Sequence, residues 1–359
     1  MPTLADPVLE LPFDVRPDPE EFLRAAMRWH FSPETGSPFW LDHARELDFD
    51  PLTDVRTFED LALFPNIASE LSYVRAEELI PRGYGPKPDV VGVFESGGTT
   101  GAPRRIVLLR DWMDQLIPWS SAQLDRHGMP RNVNWLTVTP SGPHLVGDLI
   151  KHQTAYRGGM SFKVDLDLRW VQKLISEGKS GEALAYTEHI VDQVAYLLET
   201  QDIGVLMCTS PVLERLARRD DLARFVNERV GAIIWLGSRM DADTRQFFRS
   251  EVFPDAVLYS GYGSTLILGS AGERIGLTDD DPCVYDPFSP YMSLGVIDPE
   301  TGGTVEYGER GRVVMHHVSK SLLMPNNLER DFATRIRPID PDQIGDSVAD
   351  VSPVLLPTG

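Results

Sequence analysis

The sequence predicts an α/β fold: a doubly wound, mostly parallel sheet covered by helices, with a small β-rich part after it. Two observations carry this expectation. Between residues 90 and 260, short apolar runs alternate with amphipathic helical stretches, as strands do when each crosses to the next through a helix. After residue 265 the helical period fades. Gly302, Gly303, Gly308 and Gly311 then punctuate the chain ahead of the run at 312–315, and together they read as β-structure.

Taken in order, Asp18 before Pro19, Glu20 and Glu21 is a helix start. The carboxylate accepts from free N–H groups, proline fits the first turn, and acids suit the positive end of the dipole. Phe22, Ala25, Ala26 and Trp29 follow on one face at helical spacing and read as a packing face. The proline-rich stretch 81–88 reads as a linker. Residues 90–94 and 105–109 are strand candidates separated by a glycine–threonine loop. Residues 111–127 read as a helix ending at Gly128, with a kink expected at Pro118. Strands are then predicted at 134–139, 203–208, 231–236 and 256–260. Helices are predicted at 182–200, from Pro211, and after a cap at Asp241. The expected divisions are 1–88, an N-terminal helical section; 89–265, an α/β nucleotide-binding core; and 266–359, a β-rich subdomain and tail.

A length of 359 residues gives room for two or three folding units with proper cores. The 34 basic residues against 54 acidic ones leave a formal charge of −20. That balance argues against nucleic acid and against an anionic membrane surface as partners. An anionic ligand must therefore be met by local N–H groups and a few placed cations. The two cysteines, Cys208 and Cys283, provide neither a disulfide framework nor a cysteine zinc site. His316 and His317 are adjacent, so on a strand they point to opposite faces, and no metal site held by protein side chains is expected. The start of the chain lacks a basic n-region and an apolar h-region, and no apolar run approaches a membrane span, so a cytoplasmic protein is expected.

Chemistry concentrates first in Ser96, Gly97, Gly98, Thr99, Thr100, Gly101, Ala102, Pro103 and Arg104. The glycines let backbone N–H groups converge on one point, the hydroxyls add donors, and Arg104 adds a cation, which together suit phosphate. It is not a Walker A loop, because it runs into a β-stretch rather than into a helix after Gly-Lys-Ser/Thr. The alternative is a plain glycine-rich hairpin loop.

The order of residues resembles the phosphate-binding motif of the adenylate-forming superfamily, which includes acyl- and aryl-CoA synthetases, peptide-synthetase adenylation domains and luciferase. Positions 98–103 follow that motif, while Gly97 departs from it and Arg104 stands where the family has lysine. Further segments resemble the family's in the same order. Residues 135–144 resemble the strand and loop that line the acyl pocket, which brings Trp135, Gly142 and His144 forward as pocket residues. Residues 233–239, including Gly237, Ser238 and Arg239, resemble the turn bordering adenine. Gly261, Tyr262, Gly263, Ser264 and Thr265 resemble the Tyr-Gly-any-Thr-Glu motif, implying Tyr262 against adenine and Thr265 at the α-phosphate. The family's next residue, a glutamate that helps to hold Mg²⁺, is Leu266 here, and leucine offers a hard cation no oxygen. Asp331 falls where the family's ribose-binding aspartate lies, and Arg335 or Arg337 falls near its following cation.

The resemblance implies ATP or AMP as cofactor, with Mg²⁺, and Thr100, Arg104 and Thr265 at the reacting phosphates. It implies an aromatic carboxylic acid as substrate and transfer of the acyl group to a carrier protein or reductase, with a homodimer as an option. The chain is most similar to truncated members of phenazine antibiotic biosynthesis, and more distantly to phenylacetate-CoA ligase and the luminescence acyl-protein synthetase. Only 28 residues follow Asp331, and no lysine follows Lys320, so the C-terminal lid domain with its lysine is expected to be absent. A degenerate protein that binds nucleotide or aryl acid without chemistry is the other reading. Cys208 reads as an acyl acceptor or as a buried structural thiol.

Overall fold

The computed structural model describes residues 5–97, 102–237, 240–278 and 281–353. In the N-terminal section lie α1 (Pro19–Phe31) and α2 (Pro38–His43). Asp18 caps α1 by accepting from the Glu21 amide at 2.9 Å, and Phe22, Ala25, Ala26 and Trp29 are all buried, as the spacing predicts. The stretch read as a linker is pinned in place. A Cβ on Gly83 would meet the Trp29 ring at 2.3 Å, and the Tyr84 hydroxyl bonds Asp111 and Ser321.

A hairpin of β1 (Val90–Ser96) and β2 (Arg104–Leu109) flanks the glycine–threonine loop, with Ser96 opposite Arg104. Next comes α3 (Arg110–Arg126), which continues through Pro118 instead of breaking there. Then follow β3 (Trp135–Thr139), α4 (Leu145–Tyr156), β4 (Ser161–Asp165), α5 (Leu168–Ser176) and α6 (Ser180–Thr200). The alternation goes on with β5 (Val205–Thr209), α7 (Ser210–Ala217), α8 (Asp220–Arg229), β6 (Ala232–Leu236), α9 (Ala242–Phe247) and β7 (Val257–Ser264). Strands β3 to β7 are parallel in the order β4-β3-β5-β6-β7.

The remaining strands are β8 (Gly269–Glu273), β9 (Val284–Asp286), β10 (Met292–Ile297), β11 (Arg310–Val318), β12 (Leu323–Ile336) and β13 (Ser347–Pro353). They do not form a detached unit. All are antiparallel and continue the parallel half into one sheet of 11 strands through the β7–β8 pair. Strand β7 belongs to both halves. Its first part runs parallel to β6, and from Gly261 onward it pairs antiparallel with β8. At the change of partner the Ser260 amide donates to the buried Glu273 carboxylate at 2.9 Å, which satisfies that amide by a side chain.

Both faces of the parallel half are covered, which is why its strands are apolar on both sides. Leu136, Leu206, Cys208, Ile233 and Trp235 join the main core with residues of α6, α7 and α8. Trp135, Val205, Met207, Ile234 and Tyr259 form a second cluster on the other face, beside α3 and α4. Among the described residues, no helix is long and apolar enough to cross a membrane.

Candidate functional site

Between that second face and helices α3 and α4 lies a cavity of about 750 Å³, within the size range of small-molecule sites. Its inner end is apolar. Leu116, Ile117 and Leu124 come from α3, Leu145, Leu149 and Ile150 from α4, and Trp135, Met207, Ile234 and Tyr259 from the sheet. The period-two rule of strands puts these last four on one face, and the period near 3.6 of the helices brings their apolar stripes to meet them.

The mouth is polar and is built where β7 changes partner. Gly237, Gly261, Tyr262, Gly263, Thr265 and Asp331 line it, together with residues 350–353 of β13. Gly263 is required by close approach, since a Cβ there would lie 2.2 Å from the Gly269 carbonyl oxygen across the hairpin. Gly237 turns the chain with φ +76° after β6. The Tyr262 hydroxyl donates to Asp331 Oδ2 at 3.0 Å, tying a ring and a carboxylate that lie 69 residues apart into one corner. Burial raises the pKa of Asp331, and the Tyr262 bond opposes that rise. Burial, reinforced by the Asp331 charge, also pushes Tyr262 well above the ordinary phenol value.

Beside this corner stands Glu329, which the motif order did not single out. Its carboxylate accepts from Asn327 Nδ2 at 2.7 Å and also bonds Ser264. Burial raises its pKa, against the pull of those hydrogen bonds and of the nearby Arg104 cation. The signal available in the sequence was spacing: 327, 329 and 331 alternate along one strand. Leu266, by contrast, is buried at 2% exposure in the main core, where its packing contributes about 1.5–3 kcal/mol. The loop that carries it is held from below. The carbonyls of Ile267 and Leu268 are bonded by His317 Nδ1 at 2.6 Å and by Trp112 Nε1 at 2.9 Å.

Other sequence-predicted residues lie apart from the cavity. Ser96 ends β1, and the Gly97 carbonyl accepts from Arg169 Nε at 3.0 Å, while Arg169 also pairs with Glu95. Arg104 opens β2 near Glu329. Gly98, Thr99, Thr100, Gly101, Ser238 and Arg239 lie outside the described residues. Gly142 is exposed with φ +71°, and His144 is the residue before α4; neither lines the cavity, although Leu145 does. Partial burial and the Arg169 cation hold His144 below the ordinary imidazole value. Arg335 pairs with Asp346 at 2.8 Å, and both Arg335 and Arg337 lie over the Tyr307 ring, away from the cavity. Cys208 is fully buried in the main core with its thiol pushed up to about 12 by burial, as for a packed structural thiol. His317 is fully buried and His316 partly so, with desolvation lowering them to about 3 and about 4. Among the described residues no group of three or more His, Cys, Asp or Glu side chains is placed to hold a metal ion.

The fold is shared with a solved CoA ligase and with MatB. A crystal structure of 2-hydroxyisobutyryl-CoA ligase in the postadenylation state, in complex with R3-HIB-AMP, matches with a TM-score of 0.63 at 13% identity, over 92% of this chain and 65% of that one. An open conformation of the same ligase with 2-HIB-AMP and CoA matches with a TM-score of 0.63 at 14% identity, over 96% and 80%. ATP-bound MatB from Rhodopseudomonas palustris gives 0.50 at 15% identity, over 74% and 48%. The chain thus spans just under two thirds of the first of these ligase chains and about half of MatB. No protein-family model matches the sequence, and no curated protein does.

Proposed function

We propose that this chain binds ATP and a carboxylic acid in the one cavity and joins them as an acyl-adenylate. The observation that carries the reading is the cavity's two-part lining. A polar mouth with a shared Tyr262–Asp331 corner opens into an apolar inner end, on a fold that ligases holding acyl-AMP also adopt. A carboxylate oxygen attacks the α-phosphorus, the bond to pyrophosphate breaks, and pyrophosphate leaves. Asp331 accepts from the ribose hydroxyls, Tyr262 offers its ring to adenine, and Thr265 donates to the α-phosphate. Residues 96–104 meet the β- and γ-phosphates. Catalysis by such a site is positioning together with neutralisation of phosphate charge.

Mg²⁺, which this chemistry uses to neutralise phosphate charge, fits the donor set at one point. Position 266 offers no oxygen, while Glu329 offers a carboxylate beside Ser264, and Mg²⁺ needs one or two carboxylates plus phosphate oxygens and water. Glu329 is therefore the residue that would hold it.

The motif resemblance supports an aromatic acid, a place in secondary metabolism of the phenazine antibiotic type, and delivery of the acyl group to a carrier protein or reductase in the cytoplasm. A second reading, binding of nucleotide and aryl acid without chemistry, is favoured by the packing of Leu266 into the core. ATP–pyrophosphate exchange over a panel of aromatic acids decides between them. Exchange with at least one acid is expected. Nucleotide binding with no exchange for any acid moves the conclusion to the second reading.

A further inference from the structure

After β7 the chain makes a single 3-10 turn, Thr265–Ile267, before β8 begins. Thr265 is half-buried and lines the cavity mouth, whereas Leu266, Ile267 and Leu268 behind it are 2%, 0% and 0% exposed and do not line it. Leu268 closes the turn in the left-handed region at φ +48°, which a leucine keeps only where its surroundings hold it there. Two buried side chains from separate elements do the holding. His317 on β11 donates from Nδ1 to the Ile267 carbonyl at 2.6 Å, and Trp112 on α3 donates from Nε1 to the Leu268 carbonyl at 2.9 Å. A carbonyl only accepts, so the His317 proton sits on Nδ1. Burial keeps that ring neutral, and its Nε2 accepts from Ser319 Oγ at 2.7 Å. The two rings also support each other: His317 meets Trp112 edge-on at 4.3 Å, and Trp112 stacks on Phe288 at 5.7 Å. At the front of the turn the Leu266 amide donates to Ser264 Oγ at 3.3 Å.

We infer that His317 and Trp112 are positioning residues for the proposed adenylation, which set the Thr265 hydroxyl against the α-phosphate through the Ile267 and Leu268 carbonyls. Neither ring lines the cavity, so both act through the turn and not on a ligand. A turn released from behind lets the hydroxyl drift, and the loss falls on the ligand group that this hydroxyl meets. The inference rests on the proposed contact of Thr265 with the α-phosphate and names what holds that contact in place.

Calorimetry on the full chain compares AMP, which carries the α-phosphate, with adenosine, which lacks it, and ATP–pyrophosphate exchange gives kcat and KM. Thr265→Val should lower the ratio of AMP to adenosine affinity about tenfold. His317→Phe and Trp112→Phe should each lower the same ratio about fivefold, with adenosine bound as before and exchange slowed in kcat with KM for the acid unchanged. His317→Asn, whose amide nitrogen stands where Nδ1 does, should restore the ratio. In a Thr265→Val background neither ring substitution should lower it further. Trp112→Phe keeps the stack on Phe288, so it decides the matter even where His317→Phe does not fold. Ring variants that leave the ratio unchanged overturn the inference, as do ring variants that weaken AMP and adenosine equally or whose full effect persists in the Thr265→Val background. Failure of the underlying reading looks different: Thr265→Val itself leaves the ratio unchanged, which overturns the α-phosphate contact and the inference with it.

Discussion

The two ends of the cavity are built on opposite principles. At the mouth the polar groups already answer one another: Tyr262 holds Asp331, and Asn327 and Ser264 hold Glu329. At the inner end the walls are regular sheet and helix, and the donors of Trp135 and Gln153 have no partner. The mouth is thus shaped by polar side chains that hold one another, and the inner end by the packing of apolar sheet and helix faces. On the proposed reading, affinity for the nucleotide comes from a preformed corner and choice of acid from the shape of the apolar end.

The strongest way to break the contrast is to disturb what supports the mouth. Leu266→Glu places a carboxylate in the main core, not in the cavity. It should cost about 3 kcal/mol or more in chemical denaturation and should not raise exchange. A stable variant with faster exchange would mean that position 266 faces the phosphates. Next, Asp331→Ala removes the proposed ribose acceptor and leaves Tyr262 without its partner. Exchange should fall about a hundredfold, while acid binding measured by calorimetry stays within about threefold. A parallel loss of acid binding would show that the two ends do not act separately.

Smaller effects sharpen the same contrast. Tyr262→Phe keeps the ring and deletes the bond that lowers the Asp331 pKa. Nucleotide affinity should drop about tenfold. Because the proposed ribose contact needs an ionised Asp331, the acidic limb of the affinity profile should move to higher pH, and an unmoved limb would separate Asp331 from the nucleotide. Smallest is Glu329→Gln in the ligand-free protein. The folded-state pKa of Glu329 lies above its ordinary 4.5, so its favourable share of stability is present below that value and is lost as pH rises through the folded value. The variant should therefore melt higher than the parent at pH 8, with the gain vanishing below pH 4.5. A constant difference across that range would place the effect in packing instead.

Much of the inner end was legible in the chain. The strands carrying Trp135, Met207, Ile234 and Tyr259 announce themselves as short apolar runs, and α3 follows from its period. Three elements between 145 and 176 escaped because their local signals are mixed. Gly147 and Asp148 interrupt the apolar stripe of α4, and the polar residues Ser161, Lys163 and Asp165 alternate along β4, an edge strand of the sheet. The mouth was legible as a motif only where its residues are consecutive, at 261–265. Asp331 was found by motif order, whereas Glu329 and the wall formed by 350–353 depend on strand pairings that no local pattern specifies. His144 misled by adjacency: it stands one residue before the helix whose Leu145 reaches the cavity.

Strand β7 also acts as a ruler. It touches the inner end at Tyr259 and the mouth from Gly261 to Ser264, so one extended segment spans the cavity's length. At the rise of an extended strand the distance from Tyr259 to Ser264 is about 17 Å. That length does not adjust, because the strand is clamped by β6 on one side and by β8 further along. On the proposed reading, a ligand is therefore measured from end to end. An acid one ring longer than the enclosure would push its carboxylate past the mouth, and one too short would leave it behind.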